Sequence, residues 1–164
     1  MNQFLLLCVS AVAISSVHAF SSGAPEGVCA DMTPKHPQTV PQDSESPYKI
    51  VLKKKSVAPG GSISVVISSP PGLSFKGFFV QARVGDKPVG QFTKSPSSKF
   101  YKVINCLGGS QNAATHIDAK AKSRVTLTWV APEDLNESVN FVATVAKDGG
   151  EYWVGQQSEP VTVA

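Results

Sequence analysis

Residues 75–84 read Phe75-Lys76-Gly77-Phe78-Phe79-Val80-Gln81-Ala82-Arg83-Val84. Successive side chains of a strand point to opposite faces. Phe79 and Val80, side by side, therefore place apolar groups on both faces, the pattern of a strand covered on each side. Pro70-Pro71-Gly72 before the run and Gly85-Asp86 after it are turn signals that fix its length.

The same reading extends in both directions. Upstream, Ser62 to Ser68 alternates cleanly, with Ile63, Val65 and Ile67 predicted inward. Pro59-Gly60-Gly61 turns the chain before it, and Tyr48 to Lys53 is a further strand with Tyr48, Ile50 and Leu52 on one face. Downstream, Val89 to Phe92 and Phe100 to Ile104 are shorter strand candidates. Arg124 to Val130 alternates again, with Val125, Leu127 and Trp129 inward, and Val139 to Val145 follows. Lys147-Asp148-Gly149-Gly150 reads as a hairpin turn into Tyr152 to Gly155, and Pro160 to Val163 closes the chain. No stretch keeps a helical period for three turns; residues 118–122 offer one short turn. Many short strands with Gly and Pro between them mean a sandwich or a barrel. The terminal strand and a single disulfide favour an all-β antiparallel sandwich.

The ends of the chain differ from its middle. Leu5 to Val17 is an apolar run broken only by serines, and Val17-His18-Ala19 offers a small-residue exit. Such a run is too short to span a bilayer, which takes roughly 20 apolar residues. Residues 1–19 are read as a signal peptide and residues 20–164 as one secreted, extracellular domain, with no insertion into membrane. Phe20 to Pro47 carries five prolines, too many for helix or ladder, and is expected as an irregular arm. Cys8 leaves with the leader. Cys29 and Cys106 remain, and an even pair in an oxidising compartment is read as a disulfide that staples the arm to the domain. The net charge of +3 is too mild for a nucleic-acid footprint.

Certain landmarks resemble the reeler-domain family, and within it the short stand-alone defense proteins of insects called noduler-like. They are Phe20-Ser21-Ser22-Gly23-Ala24-Pro25, then Cys29 with Met32-Thr33-Pro34-Lys35-His36, and the strand Phe75 to Arg83. They continue with Cys106, Ala114-Thr115-His116, Trp129-Val130-Ala131-Pro132, and Val139 to Val145 with Tyr152-Trp153-Val154-Gly155. The resemblance covers the chain after residue 19 and rests on the ordered set. It implies an immunoglobulin-like sandwich, an extracellular location and a role in innate immunity. The partners it implies are microbial surface glycans and glycolipids, such as lipopolysaccharide, lipoteichoic acid and β-glucan, together with blood-cell surfaces. Longer relatives join the domain to haem-carrying membrane reductases, but nothing in these residues carries a redox activity.

Each candidate site has a bland rival. His36 and His116 are the histidines after residue 19, and no Gly-x-Ser-x-Gly, phosphate loop or His-Glu-x-x-His accompanies them. An enzyme is therefore not expected, nor a cofactor. Cys29 with His36 and Cys106 with His116 make a zinc site arithmetically possible. The spacing is not that of a zinc finger and the compartment favours disulfide, so no metal is expected; the histidines would bond backbone near the bridge. Asn136-Glu137-Ser138 is a glycosylation acceptor in a polar turn. Lys53-Lys54-Lys55 lies where a strand runs into a turn, and Lys94, Lys99, Lys102, Lys120 and Lys122 extend the basic content. Lysines of this kind would draw anionic glycolipid, or serve only solubility and edge protection. Trp153 is the tryptophan that strand alternation leaves unassigned and is a candidate for stacking on sugar. A defense protein that binds microbial surfaces, antimicrobial or aggregating blood cells, is the reading these features favour. The alternative is a matrix or adhesion protein that binds acidic polysaccharide.

Overall fold

A computed structural model describes residues 21–94 and 98–164. The expected leader, residues 1–19, and the expected start at Phe20 lie outside the described residues. The chain forms β1 (Lys49–Leu52), β2 (Ser56–Val57), β3 (Ser62–Ser68), β4 (Gly77–Val84), β5 (Lys87–Pro88) and β6 (Gln91–Thr93). It continues with β7 (Tyr101–Ile104), β8 (Ala113–His116), β9 (Arg124–Val130), β10 (Ser138–Ala146), β11 (Tyr152–Gln157) and β12 (Val161–Val163). One 3-10 turn, Glu26–Val28, is the helical element among the described residues.

The strands make an immunoglobulin-like sandwich of two sheets. The smaller runs β1-β3-β9-β6 and the larger β2-β12-β10-β4-β8-β7, with β11 on β10 and β5 on β4. Pairing is antiparallel except between β2 and β12, which run parallel through Thr162 to Ser56 and Val163 to Val57. Alternation set the inner faces as expected. Ile63, Val65 and Ile67 of β3 and Val125, Leu127 and Trp129 of β9 face Phe78, Val80 and Ala82 of β4 and Phe141, Ala143 and Val145 of β10 in one core. Trp129 stacks edge-on against Phe141 at 5.4 Å between ring centres. Gly90 crosses directly over the indole: a Cβ there would stand 2.5 Å from three Trp129 ring atoms, so no larger residue fits.

The larger sheet is covered on its other side as well. The arm, residues 21–47, lies against it, and Val28, Cys29 and Met32 join Phe79, Ala113, Val142 and Cys106 in a second apolar cluster. That cluster accounts for the adjacent Phe79 and Val80: one faces the arm and the other the sandwich. Cys29 and Cys106 are bonded, their Cα atoms 5.4 Å apart across 77 residues of sequence. Two expectations fail locally. Residues 118–122 form no helical turn; Lys122 instead bridges to Phe75 as an isolated ladder pair. Ala113–His116, left unassigned by the sequence, is a full strand between β4 and β7.

Candidate functional site

The arm is held by the outward side chains of β4, β8 and β10. Gln81 Nε2 donates to the Cys29 carbonyl at 3.0 Å, and Arg83 Nη2 donates to the same oxygen at 2.9 Å and to Ala30 O at 3.1 Å. Arg83 Nε also donates to Gln81 Oε1 at 2.7 Å, so the two side chains act as one clamp on the backbone at the disulfide. Burial pulls the Arg83 guanidinium below its ordinary value, the charge of Asp86 working against that shift, and carbonyl oxygens accept its hydrogen bonds. Thr144 Oγ1 donates to Met32 O at 2.7 Å, and the Ala24 amide donates to Thr115 Oγ1 at 2.9 Å. Gly23 must be glycine: with φ at 109° and a Cβ that would stand 2.5 Å from the His116 carbonyl, only a bare backbone passes β8 so closely.

Between arm and sheet an open cleft of about 130 Å³ remains. Its roof is Ala24, Pro25, Val28, Met32 and Pro34, and its floor Gly77, Phe79, Thr144 and Ala146. His36, His116, Lys76, Ala119 and Asp148 border it. The disulfide thus brings both histidines to one cleft, as their spacing from the cysteines suggested. The Phe78 amide donates to His116 Nδ1 at 3.1 Å. Thr115 Oγ1 approaches the same ring nitrogen at 3.3 Å. Its hydrogen is spent on Phe78 O at 2.8 Å, and the residue is wholly buried. That pair therefore fixes the arm and does not form an activated nucleophile, which needs a free hydroxyl within reach of a base and of substrate. Among the described residues both cysteine sulfurs are in the disulfide, and no three of His, Cys, Asp and Glu gather to hold a metal.

Lys53, Lys54 and Lys55 are exposed on the link from β1 to β2, and none has a carboxylate within ion-pairing distance among the described residues. Lys94 and Lys99 are exposed too, and Lys102 is half-buried near Gly23. Lys122 departs from the expected surface role. Its side chain is 1% exposed, and Nζ donates to the carbonyls of Lys76, Asp118 and Lys120 at 3.1, 2.8 and 2.7 Å. Asp118 Oδ1 lies 3.0 Å from Nζ as well and shares one of its three hydrogens. That ammonium is a structural cation inside its own loop. Trp153 is also corrected as a stacking candidate. It is 5% exposed, packs edge-on against Tyr48 at 5.5 Å, and donates Nε1–H to Ser44 Oγ of the arm at 3.2 Å. Nothing local in β11 revealed this, because the core residues and Tyr48 that cover the indole come from distant strands, and its hydrogen-bond partner Ser44 lies about a hundred residues away in sequence. Asn136 is exposed on the link between β9 and β10. No helix among the described residues is long and apolar enough to cross a membrane.

The family profile described as the reeler domain matches residues 27–164. A protein of Hyphantria cunea named "Putative defense protein Hdd11" is 41% identical over 157 residues, covering 93% of this chain and 94% of that one. "Putative defense protein Hdd11-like" of Samia ricini is 41% identical over 170 residues, covering 99% and 98%. Among solved structures, the human F-spondin reeler domain superposes with a TM-score of 0.62 at 16% identity, covering 79% of this chain and 96% of that one. At that identity it is the fold that is shared.

Proposed function

The chain belongs to the reeler domain family, and we propose that it is a secreted defense protein that holds microbial surface components by non-covalent contact, without catalysis. Relatives alike over almost their whole length carry defense protein names. The observation that carries the binding mode is the lysine ridge at 53–55, three exposed ammonium groups without acidic partners among the described residues. Such a ridge attracts anions, and it pairs with no carboxylate among the described residues. It suits the phosphate and carboxylate groups of lipopolysaccharide and lipoteichoic acid better than neutral β-glucan. Bridging to blood cells would follow from a second contact on the same domain. The exposed Asn136 acceptor fits a glycosylated secreted product.

Attraction between exposed charges is screened over roughly 8 Å at physiological salt and roughly 3 Å at 1 M. Affinity for lipopolysaccharide should therefore fall steeply between low and high salt. Replacing Lys53, Lys54 and Lys55 together with Gln should weaken binding about tenfold or more at low salt, with stability little changed because exposed lysines add little to it. Titration at two salt concentrations against lipopolysaccharide, lipoteichoic acid, β-glucan and heparin reads the result. Full binding by the triple variant with a flat salt response would remove the ridge from the mechanism. Binding to heparin alone would favour an adhesive role toward acidic polysaccharide.

A further inference from the structure

We propose that the cleft between the arm and the outer face of the larger sheet binds the hydrocarbon chain of a single-chain anionic amphiphile, a medium-chain acyl carboxylate being its simplest form. The site is distinct from the lysine ridge and goes beyond the reading above. Its walls are built to stay open. Gly77 lets the floor approach His116 closely, since a Cβ there would stand 3.1 Å from His116 Cε1 and 3.5 Å from Ala146 Cβ. The small side chains of Ala146 and Ala119 leave unfilled a space that larger ones would close, under a roof of Pro25, Val28, Met32 and Pro34. An apolar cavity of about 150 Å³ takes a benzene molecule, so this cleft of about 130 Å³ admits the last few methylenes of one chain and no larger apolar body. The sign of the head group follows from the border. Lys76 is exposed there, with no carboxylate in ion-pairing range among the described residues. The nearby carboxylate, Asp148, is turned to local work: its Oδ1 accepts the amides of Gly150 and Glu151 at 2.9 and 3.0 Å. An anion anchored by Lys76 with its tail beneath the arm is the ligand these groups serve best.

The test is calorimetric titration of the secreted protein with straight-chain alkanoates from propanoate to dodecanoate, each kept below its micelle concentration. Burial of a methylene is worth about 0.8 kcal/mol, so affinity should rise about fourfold per added carbon and level off once the cleft is full. Ala146→Leu, which fills the floor, should cut affinity about tenfold or more, with the melting temperature recorded alongside. Should that variant fail to fold, Ala119→Trp at the exposed mouth takes its place. Lys76→Gln should narrow the preference for alkanoate over the alcohol of equal length. The triple Gln variant at 53–55 should bind alkanoates as the parent does, which separates this site from the ridge. Affinity independent of chain length, undiminished binding by both filling variants, or loss in the triple Gln variant would each overturn the proposal. So would binding to vesicles of phosphatidylcholine and phosphatidylglycerol with no binding of monomeric alkanoate, since the acyl source would then be a bilayer.

Discussion

At the scale of single residues, Lys122 shows how context overrides type. In the sequence it is one lysine among many in a loop, and nothing distinguishes it from Lys120 beside it. In the fold its ammonium organises three carbonyls and the Asp118 carboxylate. Lys122→Met should cost about 1–3 kcal/mol, the penalty for orphaning buried acceptors, seen as a lower denaturation midpoint with an unchanged slope. Lys120→Met should cost almost nothing, since Lys120 stays exposed 3.8 Å from Asp118. The hydrogen bond from Lys122 holds the Asp118 carboxyl below its ordinary 3.8. A carboxyl depressed by folding stabilises the fold above its unfolded value and loses that contribution as pH falls through its folded value. Stability should therefore decline below about pH 4, and Asp118→Asn should flatten that part of the curve, as acid titration of the unfolding midpoint would show. Arg83 carries the same lesson: the sequence marks it as the end of an apolar strand, but its clamp on Cys29 and Ala30 exists only once the arm has docked.

Among elements, β3 and β9 were legible because a period of two with β-branched residues has one interpretation when one face is buried. The adjacent apolar pair in β4 correctly announced two covered faces, although nothing local said that an arm supplies the second cover. Ala113–His116 escaped notice because Ala-Ala-Thr-His has weak strand preference; its pairing with β4 and β7 makes it a strand. The two-residue β2 is likewise defined by its parallel partner β12 alone. The arm's position depends on the Cys29–Cys106 bond as well as on the Gln81–Arg83 clamp. Closing a loop of 77 residues is worth about 4.5 kcal/mol on the chain-entropy model. Replacing both cysteines with Ala should lower stability by about that much and expose residues 21–47 to protease before the sandwich itself yields. Limited proteolysis followed by mass spectrometry would reveal cleavage in the arm first; first cuts inside the strands would contradict this ordering.

For the whole molecule, three layers replace the two that the strand pattern predicted: small sheet, large sheet, arm. The candidate cleft was not legible in the sequence because its roof and floor come from segments about forty to a hundred and twenty residues apart, and its main signal is a lack of bulk at Ala146 and Ala119. The lysine ridge was legible because a run of three charges on a turn needs no tertiary partner to stay exposed. Protein secreted from eukaryotic cells should lose mass on N-glycosidase treatment, and Asn136→Gln should abolish that loss, because the acceptor stands clear of both sheets. The layering also divides the molecule optically. Trp129 lies wholly inside the sandwich with its N–H on Val89 O at 3.0 Å, whereas Trp153 reaches across to Ser44 of the arm. Both indoles are shielded from water in the folded state, so both emit at short wavelength and shift red when wetted. In Trp153→Phe the remaining fluorescence follows the two sheets alone. What the parent's emission shows beyond that signal is the wetting of Trp153 at the seam where the sandwich core and Tyr48 meet Ser44 of the arm, a built-in optical readout that needs no attached dye.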